Sequence, residues 1–399
     1  MKNKKKTEFY FGFPVEGRGD PTKRPKEKGV ALLVALLCTA MVLLFLAEMK
    51  ISSSVANRLA LGNHLNAKAE YIAKSGANLA VFLLTADLAI ELTAFELSPD
   101  AKFPPIWNML NGLPIGGETL ELMTSMQESF DLSKVNDSKV LDQLKQFDGS
   151  FVLNIEDESS KININYCGVG NGIKCMTMLE ALFACPAERE FLERKKVVSG
   201  ELITAIRDYI DVDDRPDPKA IYSSEEDPYG DDANDVFPKN ARFDSVDELR
   251  NILGWDHEIH KIFSPYLTVY PIPKTTVKQS TLFVNFNSAG RELLGCLLPK
   301  ANQECAEKSA IYANNQEEID PPTTFAGVKS VLQEQYCTSS EDLAKQFTTR
   351  SDTFRITVTG QVEDQQRVVN AVIHREMPDD FDKKAEKSAV FKYLHWKML

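Results

Sequence analysis

Between Asp208 and Asp235 the chain reads DYIDVDDRPDPKAIYSSEEDPYGDDAND, eleven carboxylates set against Arg215 and Lys219. Carboxylates at this density repel one another unless they are spread in solvent or bridged by a hard cation. Calcium is the natural bridge, because it accepts roughly six to eight oxygens in flexible geometry. Asp208, Asp211 and Asp213 would offer oxygens from the end of an apolar helix over Glu201–Ile210 and from the turn that follows it. The stretch is not an EF-hand, since no Gly stands at the sixth loop position. A solvated acidic surface is the competing reading.

Other chemistry is poorly supplied. His257 and His260 are three apart on an expected helix after Trp255 and could face one way as metal ligands, but a surface pair is the better reading. There is no Gly-x-Ser-x-Gly elbow, phosphate loop or dinucleotide fingerprint, and five histidines leave little material for a triad. The chain is therefore read as a non-enzyme. A hydrolase holding two cations in the acidic stretch would need a base or nucleophile that the neighbouring sequence does not provide. Six cysteines, Cys167, Cys175, Cys185, Cys296, Cys305 and Cys337, form an even set in two clusters of three, so at least one bridge must cross between clusters. Zinc is the weaker use for them, because no CxxC or Cys/His pair has ligand spacing.

The elements that must position these residues begin with Val30–Ala47, an apolar run of eighteen residues with no charge. At about 1.5 Å rise per residue, such a run approaches the thickness of a bilayer's hydrocarbon core. Cys38 lies inside it, and Lys23-Arg24-Pro25-Lys26-Glu27-Lys28-Gly29 precedes it. No small-residue cleavage signature follows the run; the candidate processing site, Lys28-Gly29, comes before it, so the helix would survive processing. Basic residues crowd the first 28 positions of a chain whose net charge is −12, which predicts a cytoplasmic N-terminus and a periplasmic body. An acidic body of this kind argues against nucleic-acid binding.

From Glu48 to about Ala86 the spacing of Ile51, Val55, Leu59, Leu65, Ala69 and Ile72 predicts that the membrane helix continues as an amphipathic one. Residues 97–117, rich in proline, read as loop. Strands are expected at Phe151–Glu156, Asp352–Val362, Gln366–His374 and Ala389–Trp396, joined in one antiparallel sheet. Residues 161–350 would then be a helix-rich insertion between strands. Within it Ile162-Asn163-Ile164-Asn165 and Val284-Asn285-Phe286-Asn287 look like a duplication. Tyr266–Tyr270 after the first unit would answer Phe354–Val358 after the second.

A basic leader ending in Gly29, then an apolar helix, resembles a type IV prepilin or type II secretion pseudopilin. Val34, at the fifth mature position, stands where most such subunits carry Glu, and this points to the minor pseudopilin K family. The segments DYIDVDD, EEDPY, FPKNARFDSVDELRNILG, PYLTVYP and VNFNSAGRELL follow that family's pattern in order, with Ser223-Ser224 in place of its usual Gly.

The resemblance implies an α+β, pilin-like fold, a long N-terminal helix plus an antiparallel sheet, with a large inserted helical domain. The parts would be a leader over 1–29, a transmembrane helix over 30–47, pilin-like segments over 48–160 and 351–399, and the insert over 161–350. It implies a tip subunit that initiates pseudopilus assembly for export across the outer membrane, with a minor pilin of a type IV pilus as the alternative. Calcium would be held by Asp211, Asp213, Glu226 and Asp227, with Asp208, Asp217 and Asp231 as lesser candidates. A prepilin peptidase would cut between Gly29 and Val30, and the mature chain would be methylated. The implied partners are the minor pseudopilins of the I, J and H types, the major pseudopilin and the inner membrane, which the chain would cross once.

Overall fold

The computed structural model describes residues 28–97, 105–116, 149–170, 172–225, 237–271, 284–298, 303–314, 325–338, 340–376 and 390–399. The chain divides into two compact units, Met1–His64 and Leu65–Leu399. The first contributes the N-terminal part of helix α1 (Lys28–Leu97). Here the helix is apolar all round, with Val30, Leu33, Leu37, Leu44 and Phe45 each more than half exposed. It is the one helix among the described residues that is long and apolar enough to cross a membrane, with a mean hydropathy of 2.9 in its most apolar window. The sequence expectation ended the helix near Ala86, whereas it runs to Leu97. No Gly or Pro lies between Ala86 and Pro99, so nothing local stops the helix at Ala86.

In the second unit α1 becomes one-sided. Ala69, Ile72, Ala73, Ala77, Ala80, Leu83 and Leu84 are buried at three-to-four spacing, against a five-stranded antiparallel sheet. Its order is β1 (Pro114–Gly116), β2 (Ser150–Asp157), β7 (Thr353–Val362), β8 (Gln365–Glu376) and β9 (Val390–Met398). Alternate residues face the helix, as period-two strands require, and Leu153 opposite Val358 opposite Val369 is one such row. Contact is backbone to backbone at Gly360, where an added Cβ would sit 2.5 Å from the Ala69 carbonyl oxygen. The short edge strand β1 lies in what the sequence reads as loop.

Between β2 and β7 runs the helical part, with a separate core. It holds β3 (Ile162–Asn163), α2 (Ile173–Phe183), α3 (Pro186–Lys195), α4 (Ser199–Ile210), α5 (His257–Phe263) and β4 (Leu267–Thr268). There follow β5 (Val284–Asn285), α6 (Arg291–Leu297), α7 (Gln303–Asn314), α8 (Phe325–Gln335), α9 (Glu341–Ala344) and β6 (Phe347–Thr348).

The duplication is structural. β3 pairs with β4 and β5 with β6, both parallel, setting Asn163 opposite Thr268 and Asn285 opposite Thr348. In each unit the first Asn side chain accepts the backbone N–H of the second, at 3.1 Å for Asn163 and 3.0 Å for Asn285. The second Asn then donates to the carbonyl one residue past the partner strand, Val269 at 2.9 Å and Thr349 at 3.4 Å. The counterpart of Leu267–Thr268 is thus Phe347–Thr348 and not residues 354–358, which belong to β7. A two-residue parallel pair is too short to show a period in sequence.

Disulfides Cys167–Cys175, Cys185–Cys296 and Cys305–Cys337 tie this part together, and the second is the bridge between clusters that the counting demands. Two adjacent carboxylates at the end of β2 join it to the sheet. Asp157 accepts from Asn285 at 3.2 Å and from the Ser288 and Ser351 hydroxyls. Glu158, fully buried, accepts from Thr268 and from Arg355 on β7.

Candidate cation site

Helix α4 exists because Leu202, Ile203, Ile206, Tyr209 and Ile210 form its buried face, and it stops at Asp211, whose backbone is extended at φ −73°. Its last turn carries Asp208 into the interior at 3% exposure. There Asp208 accepts the Asp217 backbone N–H at 2.9 Å and the Tyr222 hydroxyl at 2.5 Å. The acidic loop is folded back on the helix through its own side chains. Asp213 accepts the N–H of Arg215 at 3.0 Å, and Asp217 that of Lys219 at 2.8 Å. Asn240, in a left-handed conformation at φ 48°, donates its amide to Asp214 and its backbone N–H to Tyr209.

The result brings Asp208, Asp211 and Glu225 together, with one carboxylate oxygen from each within 4.8 Å of the others. At an effective dielectric of about 20, two charges at such a distance repel by roughly 3 kcal/mol, so the ionised trio is costly as it stands. Burial, then Asp208 and Asp213 nearby, push Asp211 up to about 6. Burial, then Asp211 and Asp208, push Glu225 up to about 7. Burial also raises Asp208. Asp211 Oδ1 and Glu225 Oε1 are buried with no hydrogen-bond donor. An all-oxygen set with two acceptors lacking donors fits a hard divalent cation. A cleft of about 250 Å3 opens beside it, bordered by Leu202, Tyr209, Ile221, Tyr222 and Leu253 and reaching Asp208 and Glu225.

The other sequence candidates distribute differently. Asp213 lies close enough to raise Asp211 and Glu225 but is outside the trio. Asp217 is taken by Arg207, at 2.6 Å, and so serves the loop's fold. Glu226, Asp227 and Asp231 lie outside the described residues. Glu225 was missed: in a Glu-Glu pair nothing in the sequence says which side chain turns inward. His257 and His260 are no surface pair, since His257 is exposed and His260 buried, accepting from Trp255 at 3.4 Å and standing 3.2 Å from Asp247. Cys185, Glu188 and Cys296 also converge, but both sulfurs are spent in a disulfide.

Residues 182–272, which contain α3, α4, the acidic loop, α5 and β4, match the family described as type II secretion system (T2SS), protein K. A solved structure of the GspK-GspI-GspJ complex from the enterotoxigenic Escherichia coli type 2 secretion system is similar at 13% identity and a TM-score of 0.46, over 81% of this chain and 96% of that one. No curated protein matches.

Proposed function

We propose that this chain, whose residues 182–272 carry the protein K domain, is a minor pseudopilin of the type II secretion system, a non-enzymatic subunit at the pseudopilus tip that starts its assembly. One observation carries the reading: the matched residues lie in the loop between β2 and β7 of a sheet backed by a 70-residue helix. In this reading the helix's apolar first part anchors the chain once in the inner membrane, the body is periplasmic, and prepilin peptidase cuts between Gly29 and Val30. Val34, apolar and exposed, offers no carboxylate to the N-terminal amine of a neighbouring subunit, which suits a subunit that ends a fibre. Its partners would be minor pseudopilins of the I, J and H types and the major pseudopilin.

In the same reading Asp208, Asp211 and Glu225 hold calcium, with Asp213 beside them. The ion supplies charge neutralisation, and these residues fix the loop against the end of α4. The test of the pseudopilin reading is mass spectrometry of the protein extracted from membranes. It should show a methylated mature chain beginning VALLV; a retained leader, or a cut beyond Ala47, would overturn it.

A further inference from the structure

Strand β9 pairs only with β8 among the described residues, so the outer edge of the sheet is a row of backbone donors and acceptors. Its two faces differ in chemistry. Tyr393 lies opposite Ile373 and Trp396 opposite Ala371, on the face that packs against α1. These two rings form an edge-on pair at 5.4 Å and remain 50% and 42% exposed. Phe391 and Met398 join them on that face. The other face presents Lys392, His395 and Lys397, opposite His374, Val372 and Asn370, together with Leu394, which sits at a break in the register and packs, like Val372, against the core of the helical part. No acidic side chain occurs between Val390 and Leu399, in a chain of net charge −12.

We infer that the edge of β9 to which no described residue pairs takes an extended segment of another protein as a sixth strand, one that alternates apolar residues with acidic ones. The alternation follows from the pleat on either side of the break in register at Leu394, since side chains of an added strand stand beside those of β9 on the same face. Apolar residues would meet Tyr393 and Trp396, and carboxylates would meet Lys397 and His395. A second copy is the poorer occupant: antiparallel self-pairing centred between Leu394 and His395 sets Lys392 opposite Lys397 twice, and like charges directly opposite destabilise a ladder. Backbone pairing supplies the affinity and the two faces supply the choice, as in other strand-addition complexes.

The experiment is hydrogen exchange of the full chain in detergent, read by mass spectrometry, with a synthetic peptide of alternating Val and Glu and a control of alternating Val and Lys. The Glu peptide should slow exchange across 390–398 by about tenfold, less so as salt is raised, and the Lys peptide should not. Lys397→Glu, an exposed change that leaves the fold intact, should reverse the preference. Equal protection by both peptides, protection confined to another region, or no protection would overturn the inference. Protection that grows with protein concentration when no peptide is present would overturn it in favour of self-association.

Discussion

The two cores of the second unit are held by different means. Between α1 and the sheet, periodic apolar residues meet, with Asp87 and Arg375 as a largely buried ion pair at 3.9 Å, and small residues such as Ala69, Ala73 and Gly360 let the backbones touch. The helical part between β2 and β7 has two-residue strands and short helices, and it is tied by three disulfides, two Asn-x-Asn corners and a folded acidic loop. Among its described aromatic residues, Phe183, Trp255 and Phe263 gather in the first repeat, where Tyr209 also stacks on Phe243, and Phe286, Tyr312, Tyr336 and Phe347 gather in the second. Periodicity alone can specify the first kind of core. The second depends on particular long-range bonds, and a change to one of them should be felt there and not in the sheet.

The sharpest way to break this contrast is to remove the longest covalent tie. Cys185 and Cys296 are 111 residues apart, and replacing both with Ala should cost on the order of 4–5 kcal/mol in the helical part through restored chain freedom. Denaturant melts followed by Trp255 fluorescence should shift, while those followed by Trp107, which packs on Phe354 in the sheet core, should move far less. Equal shifts would mean that the cores are one cooperative unit.

In the other core, Gly360→Ala forces a methyl against the α1 backbone and should cost about 3 kcal/mol, with the Trp107 signal now moving first. The carboxylates that join the two parts give the next effect. Burial alone would push Glu158 up, but Lys161 and Arg355 outweigh it and hold it below the usual range. Its contribution is therefore present above the unfolded carboxylate range and lost as pH falls through the lower folded value. Glu158→Gln should cost about 2 kcal/mol near neutral pH, part of the buried-pair penalty because Arg355 is partly exposed, and should separate the two transitions. The acidic loop has the opposite sign. With chelator present, Asp211 and Glu225 bind protons more tightly folded than unfolded, so stability should decline as pH rises from the ordinary carboxylate range through about 6 to about 7. A chelated melting temperature that rises over that window would contradict the trio's geometry.

The same contrast explains what could be read in advance. The helix and β2, β7, β8 and β9 were legible because their apolar residues repeat at 3.6 or 2; the strand ends shifted by one or two residues, whereas the helix ran on past Ala86 to Leu97. β1 was hidden by its length of three residues among prolines. The Asn-x-Asn corners were visible as a repeated word, yet the partner Phe347–Thr348 was not, since two parallel residues leave no pattern. In the acidic loop the cluster was legible from charge density, but its members were not. Asp217 turns to Arg207 and Glu225 turns inward for reasons that arise only when the chain folds back through Asn240.

Calcium titration of the full chain in detergent, read as the melting temperature of the helical part, tests the site most directly. A cation bound to the folded form alone should stabilise by roughly 1.4 kcal/mol at tenfold excess over the dissociation constant. Magnesium should do less, because it requires a tighter octahedron. Glu225→Gln should remove most of the calcium increment while leaving the chelated protein at least as stable as before, since one buried repulsion is gone. Calcium that leaves the melting temperature unchanged, or a Glu225→Gln chain that responds as the parent does, would contradict a cation held by Asp208, Asp211 and Glu225.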